Sequence, residues 1–396
     1  MQMLSKQVVG YIEKSSWIRK MFEIGIELKA QHGEDAVCDF SLGNPDLAPP
    51  PAVGKALANV AQSADKPFAF GYMPNPGYPF ARKALAGHLS KEQGVDIGSD
   101  DVVITCGAAG ALNAIMRAVL DHGDEVLSPA PYFVEYGFYT QNHGGVFTSV
   151  PAKPLTFELD LEAMAAAINP KTRIVLINSP NNPSGAVYTE DELKGLAAIL
   201  KAKTEEYGRP IYLVADEPYR FLVFDGIEVP SILPLYDYAI AVSSFSKNLS
   251  LAGERVGYAV VAPQMPGKGQ LLGGLILANR ILGFVNAPAI GQKIMAEALG
   301  SQVNVTVYAE RRKAMTEVLD AAGYNFSMPK GAFYFFPEAP GGDDVAFVAA
   351  LQEELILAVP GTGFGCPGYF RLAFCVGEEV IRRSAAGFKK AYRKLA

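Results

Sequence analysis

The feature that most constrains the fold is the alternation of short apolar segments with longer helical patterns that begins near residue 100. Six segments have the length and composition of strands, namely 101–105, 124–128, 173–179, 210–216, 238–246 and 255–262. Continuously apolar strands separated by helices are typical of a mainly parallel sheet covered on both faces. Ligands of such sheets bind beyond the carboxyl ends of the strands. The sequence therefore predicts an α/β fold with its site at the strand ends.

The length of the chain predicts more than one domain. Its 396 residues exceed the ~250 to 300 at which a single hydrophobic core usually stops growing. We expect a large domain over residues 50–290. A smaller α+β domain is expected from the N-terminal arm, 1–49, together with the C-terminal segment, 291–396. The long amphipathic stretch 294–323 is expected to form a helix that connects the two.

Composition and charge restrict the partners. The formal net charge of −6 provides no general attraction for phosphate backbones or anionic lipid, so we expect neither nucleic acid nor a membrane as a partner. The four cysteines and four histidines lack metal-ligand spacing, so we expect no metal site. The N-terminus lacks the apolar core of a secretory signal, and no uncharged apolar run of about 18 residues occurs. The sequence predicts a soluble cytoplasmic protein with reduced thiols.

Polar side chains follow several of the predicted strands. Asp216 ends the strand 210–216 and Tyr219 follows it, while Asn182 lies in the turn PNNPSG after the strand 173–179. The first strand is followed by CGAAGALN, where the backbone N–H groups of a helix start suit an anion. Taken alone, each of these features is more often a cap, a turn or a packing device. Their convergence at one sheet edge, with Lys247 nearby, is much rarer.

Lys247 and Arg255 lie in the segment SFSKNLSLAGERVGY, where both side chains are costly to bury. A buried lysine without a partner tends to lose its proton, and a neutral amine attacks carbonyl carbons to form a Schiff base. A buried arginine keeps its charge and needs an anion, and its guanidinium suits a phosphate. The pair therefore indicates a ligand with an aldehyde and a phosphate. Pyridoxal 5′-phosphate has both, with a ring nitrogen for Asp216 and a phenolic oxygen for Tyr219 and Asn182.

These residues together resemble the fold-type I, pyridoxal-phosphate-dependent aminotransferases of class I/II, which include aspartate and aromatic aminotransferases. The resemblance covers nearly the whole chain, from FSLGNPD to YFRLAF. Its most specific parts are NNPSG, DEPYR and SFSKNLSLAGERVGY, in that order and spacing. It implies a large domain with a mainly parallel seven-stranded sheet covered by helices, and a smaller α+β domain.

The resemblance implies the catalytic residues Lys247, Asp216 and Tyr219. Lys247 would carry the cofactor as an internal aldimine and serve as the general base. Asp216 would keep the pyridine nitrogen protonated, so that the ring acts as an electron sink. Tyr219 and Asn182 would bond the phenolic oxygen of the ring.

The remaining cofactor contacts are also implied by the resemblance. An aromatic side chain would stack on the ring, and alignment on SPAPYFVEY favours Phe133 over Tyr132. The phosphate would be bound by Ser244, Arg255 and the backbone of Gly107, Ala108 and Ala109. Tyr72, in FGYMPNPG, would reach the phosphate across a subunit interface, which implies a homodimer with shared active sites.

The implied substrates are an L-amino acid and a 2-oxo acid. Arg371, in GYFRLAF, would clamp the α-carboxylate, and the substrate-binding group would be Gly43, Asn182 and Arg371. Two half-reactions with ping-pong kinetics would then move the amino group. Three alternatives stay open: a β-lyase, decarboxylase or synthase with the same cofactor contacts, a non-catalytic regulator that binds the cofactor, and a nucleotide-binding dehydrogenase. Against the regulator, the sequence has no helix-turn-helix segment for binding DNA. Against the dehydrogenase, it has no GxGxxG motif after a predicted strand.

The amino acid used by the enzyme is open. Some aspartate-specific relatives carry a lysine in the loop that corresponds to CGAAG, and this chain has Ala109 there. Arg280 could supply a positive charge from a partner subunit, although pairing with an acidic neighbour on a helix is slightly favoured. An apolar side-chain pocket could be lined by Tyr11, Trp17, Phe22 and Phe364, for each of which core packing is the commoner use.

Overall fold

A seven-stranded sheet forms the centre of the computed structural model, which describes residues 3–13 and 17–395. In chain order the described strands are β1 Cys38–Asp39, β2 Val102–Cys106, β3 Glu125–Ala130, β4 Val146–Pro151, β5 Thr172–Asn178, β6 Tyr212–Asp216, β7 Ala239–Ser244, β8 Val256–Val261, β9 Tyr334–Phe335, β10 Ile356–Leu357, β11 Val359–Pro360 and β12 Phe370–Ala373. The large sheet has the order β2-β8-β7-β6-β5-β3-β4. The predicted α/β fold class with a mainly parallel seven-stranded sheet is confirmed.

Two strands differ from what the apolar pattern predicted. The edge strand β4 is largely outside the core and carries Thr148 and Ser149, so it lacks the continuous apolar character of the six predicted strands. β8 is antiparallel to both β7 and β2. The chain between β7 and β8 contains no α-helix, so it turns back and pairs beside β7 without a crossover. This connection, 245–255, therefore lies at the carboxyl end of β7 and holds Lys247 there.

The helices follow the strands as the sequence predicts for an α/β chain. They are α1 Lys6–Glu13, α2 Trp17–His32, α3 Pro51–Gln62, α4 Pro79–Gln93, α5 Gly107–Val119, α6 Glu135–Asn142, α7 Leu161–Ala167, α8 Glu190–Tyr207, α9 Lys268–Ile281, α10 Ala289–Ala298, α11 Val305–Ala322, α12 Asp344–Glu353, α13 Glu378–Arg383 and α14 Ala385–Leu395. Local signals set several ends: Thr189 and Glu192 form a capping box at the start of α8, and Gly208 ends that helix in the left-handed region. None of the helices in the described part of the chain combines the length and hydropathy needed to cross a bilayer.

The stretch 294–323 forms parts of two helices, so the expected single connecting helix is wrong. α10 ends at Ala298, and Gly300 follows with φ at 83°, a left-handed conformation that glycine adopts without a steric penalty. Asn304 then caps α11 by accepting a hydrogen bond from the backbone N–H of Thr306 at 3.0 Å. The apolar periodicity continues across the break, which is why the pattern alone did not show it.

The described part of the chain has two hydrophobic cores, each built around a different sheet. One core is built on the large sheet and draws its residues from Val53 to Ala298. The other surrounds the three-stranded sheet β11-β12-β9 and includes Met21 and Phe40 from the N-terminal arm. It also contains Tyr219, which follows β6 of the large sheet, so the two cores meet near the ends of the central strands. The domain bounds expected from the sequence stay a prediction.

Candidate active site

A cavity of about 300 Å³ lies at the carboxyl ends of β5, β6 and β7, whose last residues Asn178, Asp216 and Ser244 all line it. The predicted site residues in its wall are Gly43, Ala108, Ala109, Phe133, Asn182, Asp216, Tyr219, Ser244, Lys247, Arg255 and Arg371. The structure thus brings together residues from seven separate sequence motifs. The position of the cavity agrees with the rule that α/β sheets bind ligands beyond their strand ends.

The amine of Lys247 faces the cavity from the connection between β7 and β8. Its Nζ donates a hydrogen bond to the backbone carbonyl of Gly43 at 2.6 Å. Removal from water disfavours the charged amine, and the nearby Arg371 and Arg255 add to this effect, so the pKa of Lys247 falls to about 8. A substantial fraction of the amine is therefore neutral near physiological pH, which is the nucleophilic form.

The two carboxylate oxygens of Asp216 have different surroundings. Oδ2 accepts a hydrogen bond of 2.7 Å from the hydroxyl of Tyr136. Oδ1 is buried and has no hydrogen-bond partner among residues 3–13 and 17–395. Burial raises the pKa of Asp216 to about 7; the bond from Tyr136 opposes the rise, and the neighbouring Glu217 adds to it. A carboxylate with one unpaired buried oxygen requires a donor or a cation from a ligand.

Two phenols, those of Tyr219 and Tyr334, meet in the wall of the cavity. The hydroxyls of Tyr219 and Tyr334 lie 2.7 Å apart, within hydrogen-bond distance, and both side chains are buried. Burial is the main reason that the pKa of Tyr219 lies well above its usual value, and it raises the pKa of Tyr334 to about 12. Both phenols are therefore protonated at neutral pH, and because one hydroxyl donates to the other, the second O–H is the one left to donate to a ligand oxygen.

Arg371 is a buried cation in the wall of the cavity, with only 2% of its surface exposed. It lies on β12 between the rings of Tyr334 and Phe364, with its guanidinium carbon 4.9 Å from each ring centroid. Nη1 donates to Oδ1 of Asn182 at 3.1 Å, and Nη2 donates to the backbone carbonyl of Ser41. Nε has no partner, and no carboxylate pairs with this guanidinium in the described part of the chain. The site therefore lacks one anion, which a substrate carboxylate would supply.

At the other end of the cavity, Arg255 faces the start of α5. Its Nη1 donates to the backbone carbonyl of Ala252 at 2.9 Å, and no carboxylate of the described residues pairs with it. A Cβ atom at Gly107 would lie 2.9 Å from Nη2 of Arg255, and one at Gly257 would lie 2.4 Å from the backbone carbon of Gly107. The helix start and the guanidinium therefore approach each other closely only because both positions are glycine. Free N–H groups, a helix dipole and a guanidinium together suit an anion such as a phosphate.

We predict that Gly257→Ala disrupts this part of the site. The new Cβ atom at position 257 would collide with the backbone at Gly107. Backbone cannot move aside as the end of a flexible side chain can. Overpacking of this kind costs about 1–3 kcal/mol. Urea unfolding should show a loss of that size in the free energy of unfolding. The control is Gly253→Ala, because nothing lies within 4 Å of a Cβ built there, and we expect it to be close to neutral. Equal stabilities of the two variants would contradict the close approach.

Two of the predicted residues are outside the cavity lining. Gly107 lies behind it, next to Arg255, as described above. Tyr72 is 96% exposed on the surface of the single chain, and its expected role across a subunit interface stays a prediction. Of the two candidates for ring stacking, Phe133 lines the cavity, whereas Tyr132 packs edge-on against Phe147 at 4.7 Å. The geometry favours Phe133.

Apart from Ala109, the residues considered for substrate selection do not line the cavity either. Arg280 is exposed on α9 and forms no ion pair with any described residue, so the favoured pairing with an acidic neighbour is wrong. Phe364 is fully buried in the small-domain core, and Phe22 is exposed. Tyr11 and Trp17 line a separate cleft between the N-terminal helices and α6.

Sequence reasoning missed several residues of the site, namely Tyr136, Tyr139, Asn178, Ser246 and Tyr334. Asn178 ends an apolar strand and Ser246 precedes Lys247, so the strand-end rule could have found both. Tyr136 and Tyr334 lie in segments rich in aromatic residues, where a tyrosine is more often part of a core. Their hydrogen bonds to distant residues are visible only in the folded chain.

We expect the raised pKa of Asp216 to appear in the stability of the cofactor-free protein. Between its ordinary value of 3.8 and about 7, the folded state binds more protons at this carboxyl than the unfolded chain does. The contribution of Asp216 to the free energy of unfolding therefore decreases as pH rises from about 4 to about 7. Asp216→Asn does not titrate, so its stability relative to the wild type should increase over this range, by about 4 kcal/mol at most. Urea titrations at several pH values measure this difference, and a flat difference would contradict the raised pKa.

Comparison with known families and proteins gives one consistent result. Residues 35–388 match the family model described as "Aminotransferase class I and II". A protein of Aquifex aeolicus named probable aspartate/prephenate aminotransferase is 32% identical over 388 residues, which cover 93% of this chain and 94% of that protein. The aspartate aminotransferase of Thermotoga maritima is 32% identical over 370 residues, covering 91% of this chain and 93% of that protein.

Solved structures agree with these sequence matches. An amino transferase from Eubacterium rectale superposes with a TM-score of 0.95 at 38% identity, and the alignment covers 100% of both chains. The Thermus thermophilus aspartate aminotransferase with maleate superposes with a TM-score of 0.87 at 29% identity, covering 99% of this chain and 100% of that chain. The similarity in both sequence and fold therefore extends over nearly the whole chain.

Proposed function

The chain belongs to the class I and II aminotransferases and is a transaminase, and on this basis we propose that it uses pyridoxal 5′-phosphate to move an amino group between an L-amino acid and a 2-oxo acid. The observation that carries this proposal is the convergence of Lys247, Asp216, Arg255 and Arg371 on one cavity. The expected enzyme class is confirmed, and the comparisons favour it over the lyase, regulator and dehydrogenase alternatives.

The residues of the cavity fit this cofactor at three places. The unpaired Oδ1 of Asp216 is a buried acceptor that suits a protonated ring nitrogen. Arg255 has no carboxylate partner among the described residues and faces a helix start that a phosphate would complete. Lys247 presents an amine with a lowered pKa, which suits an aldehyde. The spare acceptor, cation and amine thus match the three polar groups of one molecule.

Each residue then has a defined task in the reaction. When bound, pyridoxal phosphate supplies an aldehyde for condensation with amines and a ring that accepts electrons. Lys247 would hold the aldehyde in the resting enzyme and, once displaced, would take and return the proton at the α-carbon of the substrate. Arg371 would bind the α-carboxylate, for which it has both a charge and an unpaired Nε. Tyr219 would donate a hydrogen bond to the phenolic oxygen of the ring.

A panel of amino donors tests the proposed activity. Purified protein supplied with pyridoxal phosphate is incubated with 2-oxoglutarate and either aspartate, alanine or an aromatic amino acid. We expect glutamate and the matching 2-oxo acid to form in equal amounts with at least one donor. The absence of amino transfer with every donor, in protein whose absorbance shows bound cofactor, would contradict the proposal. The same panel decides whether an aspartate donor is accepted although Ala109 supplies no cation.

We propose further that two chains form a homodimer with shared active sites. Phe68 and Tyr72, in one surface segment, are 92% and 96% exposed in the single chain. Large aromatic side chains exposed together are typical of interfaces, where burial of their apolar surface favours association. The exposed Arg280 would also be available to a partner, since it is unpaired within the described chain.

Complementation between two variants tests the shared site. In a mixed dimer of Lys247→Ala and Tyr72→Ala chains, one site carries both substitutions and the other carries neither. We expect Tyr72→Ala alone to weaken cofactor binding about 10-fold, the effect of one lost hydrogen bond to a charged group. At limiting cofactor, the mixture should be more active than the average of the two pure variants. Activity equal to that average, in a mixture shown to exchange subunits, would contradict a shared site.

We propose that the protein is cytoplasmic. Its four cysteines, Cys38, Cys106, Cys366 and Cys375, are all free thiols. Burial raises the pKa of each of them, which keeps the reactive thiolate scarce. Free thiols are typical of proteins in a reducing compartment, where disulfides are rare.

A further inference from the structure

Tyr136 is a fully buried residue whose side chain does not line the cavity, yet it contacts a residue that does. Its exposed fraction is 0%, and its hydroxyl donates to Oδ2 of Asp216 at 2.7 Å. It lies on α6, and its backbone N–H donates to the carbonyl of Phe133 at 3.1 Å, while the two rings pack edge-on at 5.6 Å. One residue of α6 is thereby attached both to the acid of the site and to the aromatic ring in its wall.

The hydrogen bond from Tyr136 gives the two carboxylate oxygens of Asp216 different roles. Among the described residues, no other side chain donates to Asp216, because Asn178 bonds only its backbone carbonyl. With Oδ2 engaged, Oδ1 is the oxygen left for a ligand. No lysine or arginine pairs with Asp216 in the described part of the chain, so the phenol is the group that stabilises its negative charge. A hydrogen bond to the ionised form of an acid favours that form.

We propose that Tyr136 is a positioning residue that holds Asp216 ionised, with Oδ1 directed at the ring nitrogen of the cofactor, and thereby decides where their shared proton lies. This inference rests on the proposed cofactor chemistry. Two arrangements contain the same proton: a carboxylate with a protonated ring nitrogen, or a carboxylic acid with a neutral one. The phenol of Tyr136 stabilises only the first, which is the arrangement in which the ring accepts electrons well.

The direction of the effect agrees with the surroundings of Asp216. Burial and the neighbouring Glu217 both raise the pKa of this acid, and the hydrogen bond from Tyr136 opposes them. Without the phenol, the neutral acid and the neutral ring become more populated. The loss should therefore lower the rate of the chemical step more than it weakens binding of the amino acid, which Tyr136 does not contact.

The test uses pyridoxal 5′-phosphate labelled with ¹⁵N in its ring and bound to the intact protein. The ¹⁵N chemical shift reports whether the ring nitrogen is protonated, and its pH titration gives a midpoint. In Tyr136→Phe we expect this midpoint to fall by about one to two pH units, the effect of losing one hydrogen bond to a charged group. We also expect kcat to fall about 10- to 100-fold with little change in KM for the amino donor.

A matched control removes a different buried phenol. Tyr188 is buried in the large-domain core and does not line the cavity, so Tyr188→Phe should leave the midpoint unchanged. An unchanged midpoint in cofactor-loaded Tyr136→Phe would overturn the inference. If that variant does not fold, 3-fluorotyrosine at position 136 keeps the ring and makes the phenol a stronger donor. The midpoint should then rise, and a midpoint that stays or falls would overturn the inference.

The two proposals fail in different ways. If the wild-type protein binds no pyridoxal phosphate, the proposed cofactor chemistry itself is wrong. If the wild type is loaded and its ring nitrogen titrates, but the substitutions at position 136 do not move that titration, only the role of Tyr136 is wrong. Cofactor absorbance and the ¹⁵N midpoint of the wild type distinguish these cases before any variant is made.

Discussion

Lys247→Ala should lower kcat for transamination by about 10⁴-fold or more, the largest effect expected from any single substitution in this chain. The amine is both the group that would hold the cofactor aldehyde and the base that would move the proton at the substrate α-carbon. No other described lysine lines the cavity, so no neighbour can replace it. Steady-state kinetics with saturating cofactor measure the loss.

Borohydride reduction supplies the direct test of the same residue. In the cofactor-loaded wild type, reduction followed by peptide mapping should place a pyridoxyl label on Lys247, and Lys247→Ala should lack it. Lys194→Ala is a suitable control, because Lys194 lies on the surface of α8 and pairs with Glu190 at 2.8 Å. That variant should keep its activity and its label. A loaded wild type without label at position 247 would contradict the assignment.

Arg371→Met should lower kcat/KM for the amino donor by about 10²- to 10³-fold, mainly through a higher KM. Truncation of one partner of a buried charge pair costs roughly 2–5 kcal/mol of binding, and the substrate carboxylate would be the partner here. Arg371→Lys should be affected less but still clearly, since lysine keeps the charge and loses the planar fork that binds a carboxylate through two hydrogen bonds. The comparison of KM with kcat for both variants measures the effect.

The stability of Arg371→Met separates a binding role from a structural one. Arg371 is buried without a carboxylate partner in the described chain, and methionine removes this uncompensated charge. Replacement of a buried charge by an apolar side chain is often neutral or stabilising. We therefore expect the cofactor-free variant to unfold at a urea concentration equal to or above that of the wild type. A large loss of stability together with an unchanged KM would indicate that Arg371 serves the fold and not the substrate.

Much of the cavity could be predicted because its residues follow local signals. Asp216 ends an apolar strand, and Asn182 lies in a proline-rich turn after another strand. The connection 245–255 carries Lys247 and Arg255 between two apolar strands. In a sheet whose strands are mainly parallel, such ends meet at one edge without further information. That is why residues from distant motifs were expected together and why the structure places them around one cavity.

Other features had no local signal. β8 runs antiparallel because its connection to β7 lacks an α-helix. The apolar pattern of a strand is the same for either direction, so the pattern could not predict this orientation. The break between α10 and α11 depends on Gly300 within a continuous apolar periodicity. The edge strand β4 carries too little apolar surface to be recognised by its pattern.

The sequence by itself determined the class of fold, the edge of the sheet at which the cavity lies, and the kind of chemistry that its lysine and arginine allow. These follow from residue types and short-range periodicity. Only the tertiary structure decided which groups support that chemistry: the phenol of Tyr136 on Asp216, and Tyr334 beside Tyr219 and Arg371. These contacts join residues far apart in the chain, and they arise from tertiary packing within each core, which no local pattern encodes.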